Sequence, residues 1–177
     1  TTDESGLAES KPLYLGKYEV REITAPTGYV LNTEIHTAEL VYAGQEVEIT
    51  ETAADFCNER QKAAVSLDKV LEQDERFGIG MGGELSAVTF GLFAAEELTA
   101  ADGSIIPADG LLEIVSVAEN GHAVCKTDLP FGSYYLKELS TDGHYILSDE
   151  KYPIVFEYAG QDTALVEIKA NGGAPIE

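Results

Sequence analysis

At 177 residues the chain has room for one or two domains, and 44% hydrophobic residues are enough to build real cores. A formal net charge of −21 excludes nucleic acid and an anionic membrane surface as attractive partners, and no apolar run is long enough to span a bilayer. The two cysteines, Cys57 and Cys125, make no disulfide framework, and His36, His122 and His144 stand singly beside turn or polar residues, so neither a metal nor a cofactor is expected.

Residues 1–14 read as a turn and an approach to a first strand over 16–23. Within that strand Tyr18, Val20 and Glu22 share one face, while Glu19 and Arg21 mark the wet one. The turn Ala25-Pro26-Thr27-Gly28 follows. Residues 29–31, 37–42 and 46–50 predict three short strands, and Phe56-Cys57-Asn58-Glu59 a further one. Arg60 to Ala64 is a short connector without Pro or Gly. The next strand, Ala64 to Leu71, places Val65, Leu67 and Lys69 on one face. A lysine on an apolar strand face ordinarily reaches along its stem to water.

Residues 72–84 form a charged, glycine-rich loop. Its glycines do not follow a strand and open a helix, so a phosphate-binding loop is rejected. A strand over 85–94 comes next, then one or two helical turns over 94–101 before the Asp102-Gly103 turn. Residues 111–118 and 122–127 pair around Glu119-Asn120-Gly121. Strands over 133–139, 144–147, 152–158 and 163–169 complete the pattern. Many short strands with closely spaced turns, and no strand–helix alternation, predict an all-β, immunoglobulin-like β-sandwich.

The chain also repeats itself. Tyr18, Glu22 and Tyr29 match Tyr134, Glu138 and Tyr145, each shifted by 116 residues (134 against 18). Tyr42-Ala43-Gly44-Gln45 and Tyr158-Ala159-Gly160-Gln161 keep the same shift (158 against 42). An ungapped offset of this length is a duplicated domain and not a solenoid repeat. Residues 1–60 then correspond to the C-terminal half of a domain whose front would precede Thr1, and 61–177 to a nearly complete domain. In both copies the glutamate, Glu22 or Glu138, shares a face with apolar residues, where an unpaired carboxylate is costly.

Three segments together resemble a known family: Val65-x-Leu67-x-Lys69, Ala87-Val88-Thr89-Phe90-Gly91-Leu92-Phe93, and Asp128-Leu129-Pro130-Phe131-Gly132-Ser133-Tyr134-Tyr135-Leu136-Lys137-Glu138. Gly16-Lys17-Tyr18 through Glu22, then Ala25-Pro26-Thr27-Gly28-Tyr29, adds the first copy. The pattern resembles the Cna protein B-type domain, also called SpaA-like or prealbumin-like, of pilins and adhesin stalks of Gram-positive bacteria. The resemblance implies a prealbumin-like sandwich, often locked by an intramolecular isopeptide bond. In that chemistry a strand lysine attacks an Asn side chain, a buried Glu assists, and ammonia leaves. An ammonium is no nucleophile, so such a site needs apolar surroundings, which favour uncharged amines and carboxyls, and fold-imposed proximity.

Carried over by position, Lys69 matches the nucleophile and Glu138 the acid/base. Glu22 matches that role in the first copy and Asn58 its acceptor, with the lysine partner upstream of Thr1. For the second copy Asn171 is the only late Asn, but alternation from Val166, Ile168 and Ala170 sends it outward unless Gly172-Gly173 makes a bulge. Counting from the matching ladders, nine positions after Ile168 is Glu177, so the acceptor is either Asn171 or a residue just beyond Glu177. A third reading leaves Lys69 and Glu138 as an ion pair only.

The implied function is a structural stalk or spacer of a cell-wall-attached, extracellular adhesin or pilin-like protein. Its partners would be neighbouring tandem domains, and through other domains a host glycan or matrix protein. A cross-link between first and last strands would resist unfolding that begins by peeling a terminal strand. The alternative is a module that binds a glycan or host protein through its loops. An enzyme is not expected, because no Ser-His-Asp, Cys-His or metal constellation is legible. Self-cross-linking would be a single event per chain.

Overall fold

The computed structural model describes residues 1–100 and 102–177. Among the described residues eleven strands follow in order: β1 (Gly16–Arg21), β2 (Ile35–Leu40), β3 (Lys62–Asp68), β4 (Thr89–Ala94), β5 (Leu98–Thr99), β6 (Ile105–Ile106), β7 (Leu111–Ser116), β8 (His122–Val124), β9 (Gly132–Ser140), β10 (Lys151–Phe156) and β11 (Leu165–Lys169). The chain is all-β, and from β3 onward it forms a sandwich of two sheets.

One sheet runs β10-β9-β4-β7, all antiparallel. The other runs β11-β3-β8, with β11 parallel to β3 and β8 antiparallel to it. Strand alternation fills the space between them. On β10, Tyr152, Ile154 and Phe156 are buried while Lys151, Pro153 and Val155 face out. Pro153 is tolerated because β10 is an edge strand. Val65 and Leu67 of β3 meet Phe90 and Leu92 of β4 and Tyr134 and Leu136 of β9 in one apolar cluster.

The first 60 residues contribute a single hairpin, β1–β2, whose register repeats that of β9–β10. Gly16 opposes Leu40 as Gly132 opposes Phe156. The inner faces differ in cover: Leu136 is buried, whereas its counterpart Val20 is exposed. Residues 46–50 and 29–31, predicted as strands, are not strands, and the segment around Asn58 makes only one bridge, Tyr29 with Arg60. The counterpart of 46–50 forms β11 because β3 lies beside it, and no described strand takes that place beside 46–50. A strand is a pairing, and its residues alone do not make one.

Four further expectations change. The strands predicted to pair around Glu119-Asn120-Gly121 lie in different sheets, β7 against β4 and β8 against β3, so that turn crosses the sandwich. The predicted strand over 85–94 begins at Thr89, preceded by a 3-10 turn at Glu84–Ala87. Residues 144–147 form no strand. The helical turns predicted over 94–101 are absent up to Ala100: Ala95 and Glu96 bend, and Leu98 pairs with Ile106 in β5–β6, burying Leu98. Ala101 lies outside the described residues.

Candidate functional site

Lys69 directly follows β3. Its N–H donates to the Gly121 carbonyl at 2.7 Å. Gly121 closes the preceding turn with φ +83°, and a Cβ there would overlap the Lys69 carbonyl oxygen. On its other side Lys69 bridges Ile176 in parallel, fixed by Val70 N–H donating to the Ile176 carbonyl at 2.9 Å and Ile176 N–H to the Asp68 carbonyl at 2.7 Å. The main chain is therefore held on both flanks, and alternation from Val65 and Leu67 turns the lysine inward.

Glu138 comes to the same place from the opposite sheet. It opposes Phe90 across β4–β9, next to an irregularity at Thr89/Phe90 where the ladder gains a residue. Its Oε2 accepts from Ser148 N–H at 2.9 Å. Its Oε1 lies 3.5 Å from Lys69 Nζ. The two side chains are only 5% and 2% exposed, and Glu138 Oε1 accepts no hydrogen bond. The lysine thus does not reach water, although its place near a strand end made that the ordinary expectation.

Asn171 is not in this cluster. It lies in the left-handed region (φ 52°), exposed, with Nδ2 donating to the Ala174 carbonyl at 3.4 Å and the Pro175 carbonyl at 3.2 Å. The segment after it carries Ile176 to the flank of Lys69 with its side chain buried.

In the first copy Glu22 and Asn58 do meet. Asn58 Nδ2 donates to Glu22 Oε2 at 2.6 Å and to the Val30 carbonyl at 2.9 Å. Asn32 N–H donates to the same Glu22 oxygen at 2.7 Å, repeating the Ser148–Glu138 bond of the second copy. Chemically, the second copy offers an amine and a carboxyl in an apolar core, and the first a carboxyl holding a carboxamide.

A second polar cluster escaped the sequence reading. Gln61, in the expected connector, is 1% exposed. Its Nε2 donates to the carbonyls of Gly160 (3.1 Å) and Thr163 (2.6 Å), and its Oε1 accepts from Ala159 N–H at 2.8 Å. Arg60 pairs with Asp128 beside it. The available signal was the recurrence of Tyr-Ala-Gly-Gln, whose second copy is the loop Gln61 enters. No group of His, Cys, Asp and Glu among the described residues is arranged to hold a metal. No described helix is long and apolar enough to cross a membrane.

Comparisons with known proteins agree with this architecture. Residues 1–53 match the model of the SpaA prealbumin-like fold domain. A trypsin-resistant surface T6 protein of Streptococcus pyogenes serotype M6 is 33% identical over 72 residues, covering 40% of this chain and 13% of the relative. The solved structure of the Bacillus anthracis TIE protein superposes with a TM-score of 0.57 at 24% identity, covering 95% of this chain and 27% of that one. The chain thus spans a minor part of both. By sequence and by fold, it resembles the SpaA-like, prealbumin-fold domains of Gram-positive surface proteins.

Proposed function

We propose that the chain is a structural stalk or spacer segment of an extracellular, wall-attached adhesin or pilin-like protein, divided into an incomplete module over 1–60 and a nearly complete one over 61–177. Its second module is locked by an isopeptide bond from Lys69, with Glu138 as the proton carrier. The observation that carries this reading is the burial of Lys69 and Glu138 together in the core, 3.5 Å apart. An ion pair alone is a poor reason to bury both groups, since well-packed apolar residues there are often as stable or more so.

In the proposed step the neutral Lys69 amine attacks a carboxamide carbon. The new C–N bond forms as the amide C–N bond breaks. Glu138 relays the amine proton to the departing nitrogen, and one ammonia leaves. The hydrogen bond from Asn58 Nδ2 to Glu22 supports a carboxamide beside the equivalent Glu138 oxygen pair, where Oε1 has no donor. Two acceptors fit the chemistry. Asn171 would have to leave its bonds to Ala174 and Pro175. In a chain continuing past Glu177, a carboxamide two positions after Ile176 would share its inward face, alongside Lys69.

Intact mass of the denatured protein, with peptide mapping, tests the bond. A deficit of one ammonia, a Lys69 peptide joined to an Asn171 peptide, and full mass in Lys69→Ala and Glu138→Ala are the expected outcome if Asn171 reacts. Full mass here and a deficit after native C-terminal extension identifies the later acceptor. Full mass in both chains refutes the lock.

A further inference from the structure

The two copies are joined by a specific hook. The turn between β10 and β11 presents Tyr158 to Gln161 to the turn after β1. Gln161 Oε1 accepts from Ala25 N–H at 2.9 Å, its carbonyl accepts from Leu31 N–H at 2.9 Å, and its Nε2 reaches the Ile23 carbonyl at 3.4 Å. Tyr158 Oη donates to the Tyr29 carbonyl at 3.4 Å. Phe131 packs on Gly28, where a Cβ would come within 3.2 Å of the ring.

Each half of this joint has a sequence counterpart in the other copy, Tyr42 to Gln45 for the loop and Leu139 to Leu147 for the turn that receives it. Tyr42 to Gln45 holds the shape of the Tyr158–Gln161 loop. Val47 N–H donates to the Gly44 carbonyl as Thr163 N–H donates to that of Gly160, and both glycines are left-handed, at φ 109° and 96°. Tyr42 is 67% exposed and Gln45 is exposed too, whereas Tyr158 and Gln161 are half-buried. The closing bond of the receiving turn also recurs, Tyr145 N–H donating to the Asp142 carbonyl at 3.0 Å as Tyr29 N–H does to that of Pro26, but Gly28 is left-handed (φ 92°) and its counterpart His144 is not, and Tyr145 Oη is taken by the Glu72 carbonyl. Beyond it Ile146 is 95% exposed, and no described group accepts the Leu147 N–H.

The residues at the central contact differ between the copies. At the formed joint small Gly28 faces large Phe131. At the free ends His144 stands in the position of Gly28, and Leu15 in that of Phe131. Pro12 replaces Asp128, so the Arg60 ion pair has no counterpart and the hook itself must carry the contact.

We infer that Leu139 to Leu147 is the docking site for the Tyr42–Gln45 loop of a second copy of this module. Gln45 then bonds the Thr141 and Leu147 N–H groups and the Leu139 carbonyl, and Tyr42 the Tyr145 carbonyl. The contact is head to tail, so it propagates along a row of copies without closing. It stands on the observed joint and the repeat, independent of any bond at Lys69.

Inside one chain the joint is supported by tethering, which supplies an effective concentration on the order of 1 mM, so between free chains the contact is weak. The charge of −21 also opposes it, and salt weakens that repulsion. The test is amide NMR of the labelled chain titrated with unlabelled chain to about 1 mM in high salt. Shifts are expected at Tyr42–Gln45 and at Thr141 and Leu147. With unlabelled Gln45→Ala as titrant, shifts at Thr141 and Leu147 should disappear while those at Tyr42–Gln45 persist, because the wild-type loop still docks on the variant. Absence of concentration-dependent shifts, or shifts confined to the open face of β1–β2, overturns the inference. Neither result changes the mass measurement on Lys69.

Discussion

Glu138→Gln isolates the electrostatic content of the buried site. The substitution keeps shape and removes the carboxyl that faces Lys69 Nζ, so the unreacted ion-paired form loses its partner charge. At the observed 3.5 Å separation, two unit charges attract by about 5 kcal/mol at an effective dielectric constant of about 20. Breaking a buried pair on one side costs about 3–5 kcal/mol, because the remaining ion is uncompensated. The double variant Lys69→Met/Glu138→Gln removes that ion and should recover most of the loss, to within about 1 kcal/mol of the parent. Guanidinium unfolding followed by far-ultraviolet circular dichroism is the assay, since the chain has no tryptophan. It is run on chains of full sequence mass, so that no covalent link contributes. A Glu138→Gln loss below about 1 kcal/mol, or a double variant no better than the single, would show that the two groups are not a coupled buried pair.

Gly121→Ala should cost at least about 2 kcal/mol in urea unfolding, because its left-handed φ of +83° strains any Cβ and that Cβ meets the Lys69 carbonyl; a neutral effect would refute the account of how Lys69 is held. Gln61→Ala should cost about 3 kcal/mol by leaving the Gly160 and Thr163 carbonyls and the Ala159 N–H without their partner. It should also speed amide exchange at Leu31 and Ala159, and protection equal to wild type would contradict a joint held by Gln61. Burial, with a smaller contribution from Glu113, pushes the Cys125 thiol up to about 12, whereas Cys57 is exposed. A maleimide at neutral pH should therefore label one thiol quickly and the second only after unfolding; two rapid labels would place Cys125 outside the core.

The alternating pattern made the sandwich and the inward Lys69 and Glu138 legible, because a period-2 pattern reports which face a side chain takes. It could not report partners. Val47 and Ile49 have strand-forming side chains, but no described strand lies beside them, so the ladder seen at β11 does not form there. Around Leu98 the alanines and glutamates favour helix, yet pairing with Ile106 buries Leu98 and wins. Gln61 was hidden for a related reason. A polar residue in a connector reads as solvated, and only the tertiary approach of the 159–163 loop makes it a buried amide with three bonds.

The direction of β11 has a mechanical consequence. It runs parallel to β3, and the chain beyond it is still beside Lys69 at Ile176. Tension applied through Lys62 and Glu177 therefore pulls two neighbouring strands in opposite senses along their shared length. Their hydrogen bonds are loaded in shear and must yield together, whereas an antiparallel terminal pair would open one rung at a time. Resistance to force is set by how fast the loaded bonds give way and not by equilibrium stability. The parallel register thus makes the β3–β11 pair resist tension applied through Lys62 and Glu177 by its hydrogen bonds alone.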